Sequence, residues 1–422
     1  MTLVAPARPA TGDADFTSAI ALAEEIAGGA VWSGDAAAFH GAAAPADLGL
    51  PAVHRSFGGD VYEGSAGIAR YLALVAARTG SDDLAAVARG AVVHAVRRST
   101  GSSLFSGTAG SALVALEVSR LLAEPELASQ GAGLLGAAFE ASVGEDGALD
   151  DFIAGRSGTL LALVTAAAAG VPGDWLARSR TLAEALLATA RKPDDVPEAL
   201  GWELYQDGPL LCGLGHGASG VALALEGLAR IDADPRWSSA AAAARRYERS
   251  WYSAAVGSWA DLREGQVSYP HMWCHGSVGV AAERLAAVMG GTRDEMAAAD
   301  LAGGLAGARL AASALVDLPT GPGGSHAING SQCHGLGGMS DLFVDAALAE
   351  PDRADEWLAL ARRCTAQMRR DAWRPEGWRT GVYPNGETTP GLMLGLAGIG
   401  WALLRAALPG EVPSAWRIGG LL

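Results

Sequence analysis

The chain has 422 residues, 50% of them hydrophobic and 18% charged, with a formal charge of −15 and four cysteines. An acidic chain without a Lys/Arg cluster is a poor partner for nucleic acid or anionic membranes, and one this apolar is not disordered. Four cysteines in so long a chain do not form a disulfide framework, which leaves burial, catalysis or metal binding in a reducing compartment.

The first residues, MTLVAPARPATGDADF, lack a basic stretch followed by an apolar one, and no uncharged apolar run of about 18 residues occurs later. Residues 1–15 therefore read as a flexible N-terminus, and the expected location is cytoplasmic, without membrane insertion. Length alone suggests two or three domains, but internal repeats override it. Residues 16–422 read as one domain, and the length and initial Met point to a stand-alone protein.

In chain order, two glycines three residues apart recur seven times, each pair followed by a short apolar run rich in helix formers. Gly64 and Gly67 precede IARYLALVAA, Gly107 and Gly110 precede SALVALEVSRLL, and Gly155 and Gly158 precede TLLALVTAAAA. Gly217 and Gly220 precede VALALEGLARI, Gly276 and Gly279 precede VAAERLAAV, Gly335 and Gly338 precede MSDLFVDAALA, and Gly395 and Gly398 precede IGWALLRAAL. The first glycines are 43, 48, 62, 59, 59 and 60 residues apart, room for two helices and their connections. Each unit is a predicted helical hairpin. Segments between the runs, such as AAAARRYERSWYSA and DEWLALARRCTAQMRRD, mix charge with apolar residues at helical spacing and suit an outer, solvent-facing layer. Repeated glycine pairs at helix starts point to close backbone approach in a crowded inner layer. The repeats alone also allow an open solenoid; the polar residues favour a closed ring.

Those polar residues occupy the two places before the first glycine of each pair. There the chain carries Tyr62-Glu63, Phe105-Ser106, Ile153-Ala154, Gly215-His216, Cys274-His275, Cys333-His334 and Met393-Leu394. In a ring of equivalent units these side chains gather on one rim. Two thiolates and an imidazole are good zinc ligands, and three protein ligands with a fourth position open is the catalytic arrangement. Cys274, Cys333 and His334 are the expected ligands, with His275 as an alternative to His334. Cys212 and Cys364 have no such setting and read as buried thiols. Five of the eight histidines, His216, His271, His275, His326 and His334, fall in this part of the chain; His40, His54 and His94 read as ordinary.

The motifs GLGHGASG, MWCHGSVGV, SQCHGLGG and PGLMLGLAGIGW, in this order, resemble the lanthionine synthetase C-like (LanC) cyclases over essentially the whole chain. The resemblance implies an all-α fold, an α/α toroid of seven inner and seven outer helices, with one Zn²⁺ per chain on Cys274, Cys333 and His334. It also implies functional roles for His216 and for Asp151 in DFIAGRSG, leaving Asp150 as a solvated or capping residue. The implied reaction adds a peptide cysteine thiol to dehydroalanine or dehydrobutyrine, closing a lanthionine or methyllanthionine ring. His216 is the expected acid and Asp151 a second proton carrier or orienting group.

The implied partner is a dehydrated precursor peptide. No kinase-type glycine loop or catalytic loop is present, so dehydration falls to a separate enzyme. The chain departs from some family members in carrying His275 where they have Tyr and Pro270 where they have Arg, which touches the handling of the enolate and not the metal ligands. Two relatives of the chemistry remain as alternatives: addition of glutathione to dehydroamino acids in proteins, and a prenyltransferase-like toroid, which needs a basic diphosphate pocket that this chain scarcely supplies. The alternative outside enzymes is a toroidal scaffold with a structural zinc.

Overall fold

The structure is a computed structural model that describes residues 13–43, 53–144, 149–205, 208–263, 267–316, 318, 329–374, 377–383 and 387–419. Among these residues are fourteen α-helices. They are α1 (Ala14–Gly28), α2 (Ser65–Thr79), α3 (Asp82–Arg98), α4 (Thr108–Leu122), α5 (Pro125–Gly144), α6 (Arg156–Ala168) and α7 (Trp175–Thr189). The second half adds α8 (Ala218–Ala229), α9 (Pro235–Arg249), α10 (Ser277–Met289), α11 (Ala297–Leu315), α12 (Leu336–Ala349), α13 (Ala354–Ala372) and α14 (Leu396–Ala407).

The even-numbered helices are the seven predicted runs, and each is capped at its N-terminus by the first glycine of its pair. They pack side by side in chain order, and α14 returns to α2, which closes the ring. Their sequences are apolar all round because they are buried all round: in α8 every residue from Ala218 to Leu228 is buried. The odd-numbered helices form the outer layer and bury a single stripe, as α3 does with Leu84, Ala88, Ala91, Val92 and Ala95. The architecture is the α/α toroid of seven inner and seven outer helices.

One pairing differs from a plain run of hairpins. The last inner helix, α14, is covered by α1 from the other end of the chain. Ala19, Leu22, Ala23 and Ile26 supply the buried stripe of α1, and Tyr71 Oη donates to the Ala19 carbonyl. Asp15 pairs with Arg369 at 2.7 Å and accepts from Thr365. Residues 13–15, assigned from sequence to a flexible tail, are thus the cap and first turn of a packed helix; residues 1–12 lie outside the described residues. The all-helical expectation also omitted four two-stranded antiparallel pieces: Val31–Ser33 with Ala36–Ala38, His40–Ala43 with Val53–Ser56, Tyr252–Ser253 with Ser258–Trp259, and Trp373–Arg374 with Gly377–Trp378. No helix is long and apolar enough to cross a membrane among the described residues.

The second glycine of each pair explains why the inner layer tolerates no side chain there. A Cβ at Gly67, Gly110, Gly158, Gly220, Gly279, Gly338 or Gly398 would overlap the carbonyl oxygen six residues earlier in its own turn. At most of them it would also press on a side chain of the preceding repeat, such as Leu104 beside Gly158. Turn, helix and neighbouring repeat meet at one point, and only hydrogen fits.

The turns join each other as well. Tyr62 N–H donates to the Phe105 carbonyl, Phe105 to Ile153, Ile153 to Gly215, Gly215 to Cys274, Cys274 to Cys333, Cys333 to Met393, and Met393 back to Tyr62, at 2.9–3.3 Å. All seven donors and acceptors occupy the place two before the first glycine. The chain thus makes a closed circuit of backbone hydrogen bonds around the rim where the inner helices begin.

Candidate functional site

That circuit fixes where the chemistry-bearing side chains stand. Cys274 and Cys333 are successive members of it, bonded through their backbones, and His334 follows Cys333 in the same turn. Their ligand atoms, two Sγ and one imidazole nitrogen, all lie within 4.8 Å of one another. The ligand atoms of a tetrahedral zinc site stand about 3.5–3.8 Å apart, so side-chain adjustments of about an ångström would seat the ion. Both cysteines are buried and His334 is half-buried. The N-termini of α10 and α12 open on these turns, and their dipoles favour negative charge there.

The two thiols titrate as a pair. One proton leaves readily from Cys274, because Cys333 hydrogen-bonds to the sulfur left behind and His334 and His275 lie beside it. The hydrogen bond to Cys274, together with burial, holds the Cys333 proton well above the usual thiol range. A dication removes that conflict by taking both thiolates, so the donor set fits a metal better than it fits two free thiols. Tyr62 Oη donates to Cys333 Sγ at 2.9 Å. Burial, and after it the nearby cysteines, hold this phenol well above its ordinary range, so it remains a donor.

Next to the cysteines stands a second group. Asp151 is buried and accepts the Ala154 N–H at 2.7 Å with Oδ1, while Oδ2 meets His216 Nδ1 in a short contact. His216 is partly exposed and stacks on His275, with ring centroids 5.6 Å apart. Among the described residues, His275 is buried with no hydrogen-bond partner on either ring nitrogen; Asp261 lies 3.9 Å away, and burial lowers the imidazole pKa. The metal-type cluster contains His334 and not His275. On the inner side, Phe105, Phe152 and Trp273 pack together at centroid separations of 5.2–6.5 Å beside Cys274.

His271 Nδ1 meets Ser277 Oγ at 2.8 Å at the start of α10 and is not part of the Cys274–Cys333–His334 cluster. His326 lies outside the described residues. Asp150, expected to be solvated or to cap a helix, is instead buried and paired with Arg156 at 3.0 Å. Burial makes an unpaired carboxylate costly, and Arg156, six residues on, turns back to meet it. Cys212 and Cys364 are buried thiols.

Sequence reading missed two supporting residues. Tyr62 occupies the same place in its repeat as Cys274 and Cys333, and that shared position was the available signal. Glu248 lies on the outer helix α9, fully buried, and left no motif. Its Oε1 accepts the N–H groups of Gly213 and Ser219 at 2.8 and 2.9 Å, and its Oε2 pairs with Arg284 at 2.8 Å. The turn bearing His216 is therefore anchored to a buried carboxylate at both ends.

The family model described as lanthionine synthetase C-like protein matches residues 56–416. Nisin cyclase has a similar fold, with a TM-score of 0.60 at 16% identity, over 84% of this chain and 93% of its own. The α-1,6-mannanase GH76A of Salegentibacter sp. HEL1_6 is more remote, with a TM-score of 0.47 at 13% identity over 93% of this chain and 98% of its own. No curated protein sequence matches the chain. The family match runs from the end of the second hairpin to the tail after α14 and takes in every turn of the ring; α1 and most of the first strands lie before it. The chain belongs to the lanthionine synthetase C-like family.

Proposed function

We propose that this protein is a zinc-dependent cyclase that adds cysteine thiols of a dehydrated precursor peptide to dehydroalanine or dehydrobutyrine in the same peptide. The observation that carries the reading is the gathering of Cys274 Sγ, Cys333 Sγ and a His334 nitrogen within 4.8 Å, beside the hydrogen-bonded His216–Asp151 pair. Cys274, Cys333 and His334 would hold the zinc, which would lower the pKa of a substrate thiol so that its sulfur is nucleophilic at neutral pH. A new S–Cβ bond then forms, the double bond becomes an enolate, and a proton must reach Cα; no atom is lost.

In this reading His216 delivers that proton. Its Nδ1 is engaged by Asp151, which leaves Nε2 for the substrate, and imidazole is the side chain most often used for general acid–base work. Asp151 is the orienting group, held in turn by the Ala154 N–H. The convergence of helix N-termini on the rim favours the thiolate and the enolate alike. The peptide partner comes from a dehydration step carried out by another enzyme.

The test combines metal content with turnover. Purified protein is expected to hold about one zinc per chain by mass spectrometry, and Cys274→Ala and Cys333→Ala to lose it while staying folded. Cyclisation leaves mass unchanged, so it is read as thiols lost to alkylation in a dehydrated peptide. A wild-type chain that takes up no zinc, or a zinc-loaded one that consumes added glutathione but no peptide thiol, would overturn this reading.

A further inference from the structure

Cys333 is held from two directions by the first repeat. Through the backbone, Cys333 N–H donates to Met393 and Met393 N–H donates to the Tyr62 carbonyl. Through the side chain, Tyr62 Oη reaches past that intervening turn to Cys333 Sγ at 2.9 Å. The two links close a loop that fixes the cysteine rotamer, and the hydroxyl adds a hydrogen bond to one sulfur of the pair. Residue 62 stands at the same place in its repeat as the two cysteines, so its side chain projects from the same level of the rim.

We propose that Tyr62 is a positioning residue of the metal centre, whose hydroxyl donates to the Cys333 thiolate and makes it a weaker electron donor than Cys274. The inference rests on the zinc reading above. A hydrogen bond to a metal-bound sulfur withdraws charge from it and orients its lone pairs. That matters where a third sulfur must bind. Two protein thiolates and one substrate thiolate leave a zinc site with net negative charge, and a phenol bonded to one of them offsets part of it. Ring closure puts the donor there: Tyr62 belongs to the first repeat and Cys333 to the sixth, and they meet only because α14 returns to α2.

The test is Tyr62→Phe in the full chain, which keeps the aromatic ring and the backbone circuit and removes one hydroxyl. Both proteins are loaded with Co²⁺, and the sulfur-to-cobalt charge-transfer band is recorded; zinc affinity is measured by competition with a chelator. Without the hydrogen bond the sulfur lone pairs rise in energy, so the band is expected at longer wavelength, with about one cobalt still bound. The freed sulfur is a stronger donor but holds a proton more tightly and loses its orientation, so the net expectation is zinc binding weaker by about 10-fold or more. Circular dichroism and thermal unfolding unchanged from wild type would assign both effects to the hydroxyl. An unmoved band and equal zinc affinity in a loaded variant would overturn the inference and leave the zinc reading intact. A wild-type chain that binds neither metal would overturn both.

Discussion

Asp151 divides its carboxylate between two partners, accepting the Ala154 N–H with one oxygen and meeting His216 Nδ1 with the other. The first bond fixes the carboxylate within its own turn, and the second fixes the imidazole of the next repeat. His216→Ala is therefore expected to lower cyclisation about 10²- to 10⁴-fold, the usual worth of a positioned acid or base. Asp151→Asn keeps the shape and the bond to Ala154 but presents an amide to Nδ1. It should fold and bind metal normally yet lose a large part of that factor. Rates of thiol loss on one dehydrated peptide, with zinc content measured in parallel, separate this from damage to the metal site. Equal turnover in Asp151→Asn would remove Asp151 from the mechanism.

The two histidines that follow the cysteines are expected to behave differently. His334 shares the cluster within 4.8 Å, while His275 turns its ring against His216 and neither nitrogen has a hydrogen-bond partner among the described residues. His334→Ala should lose zinc or hold it at least about tenfold more weakly, because two thiolates alone leave the tetrahedron half-filled. His275→Ala should retain about one zinc per chain. Equilibrium dialysis with metal analysis on both variants decides the matter, and a zinc-free His275→Ala would reverse the ligand assignment.

The ring and the rim were legible because both are periodic. Seven glycine pairs fixed the inner helices, and reading the two residues before each pair aligned Cys274, Cys333 and three histidines without any structure. What the alignment could not carry is contact between unlike positions. The α1 helix has no motif in common with its partner α14, and their pairing depends on ring closure across almost the whole chain. Glu248 acts on the His216 turn from the outer layer, where burial, and not sequence, singles it out. Asp150 was misplaced because an acid beside a glycine-rich turn usually meets water, and nothing in the sequence says that Arg156 folds back onto it.

Gly276 differs from the other six glycine caps. They have extended backbones, whereas Gly276 has φ of +85° and ψ of −152°. A side chain there is strained, and its Cβ would overlap the Pro270 carbonyl. The turn cannot relax without moving Cys274, two residues earlier. Gly276→Ala is expected to destabilise the fold by at least about 1–3 kcal/mol and to weaken zinc binding. Gly80→Ala provides the contrast: it also has positive φ, +72°, but open space around it and no metal ligand nearby, so it should lower the melting temperature without changing zinc affinity.

Alkaline pH tests the buried thiols. Burial pushes Cys364 up from an ordinary thiol value of 9.0 to about 12 and raises Cys212 in the same direction. The folded-state value lies above the unfolded one, so the fold favours the protonated thiol. That contribution is complete below pH 9 and is lost as pH rises from there toward 12, because the unfolded chain releases its proton first. The slope is about 1.4 kcal/mol per pH unit for each such thiol. Cys364→Ala removes one of them. Urea unfolding of the zinc-loaded proteins at pH 8 and pH 10.5 should show the variant less stable than wild type at the lower pH, from lost packing, and the gap closing by about 2 kcal/mol at the higher. A gap that stays constant across that range would mean that Cys364 titrates in the folded protein as it does in the unfolded chain, and that its surroundings in α13 admit water.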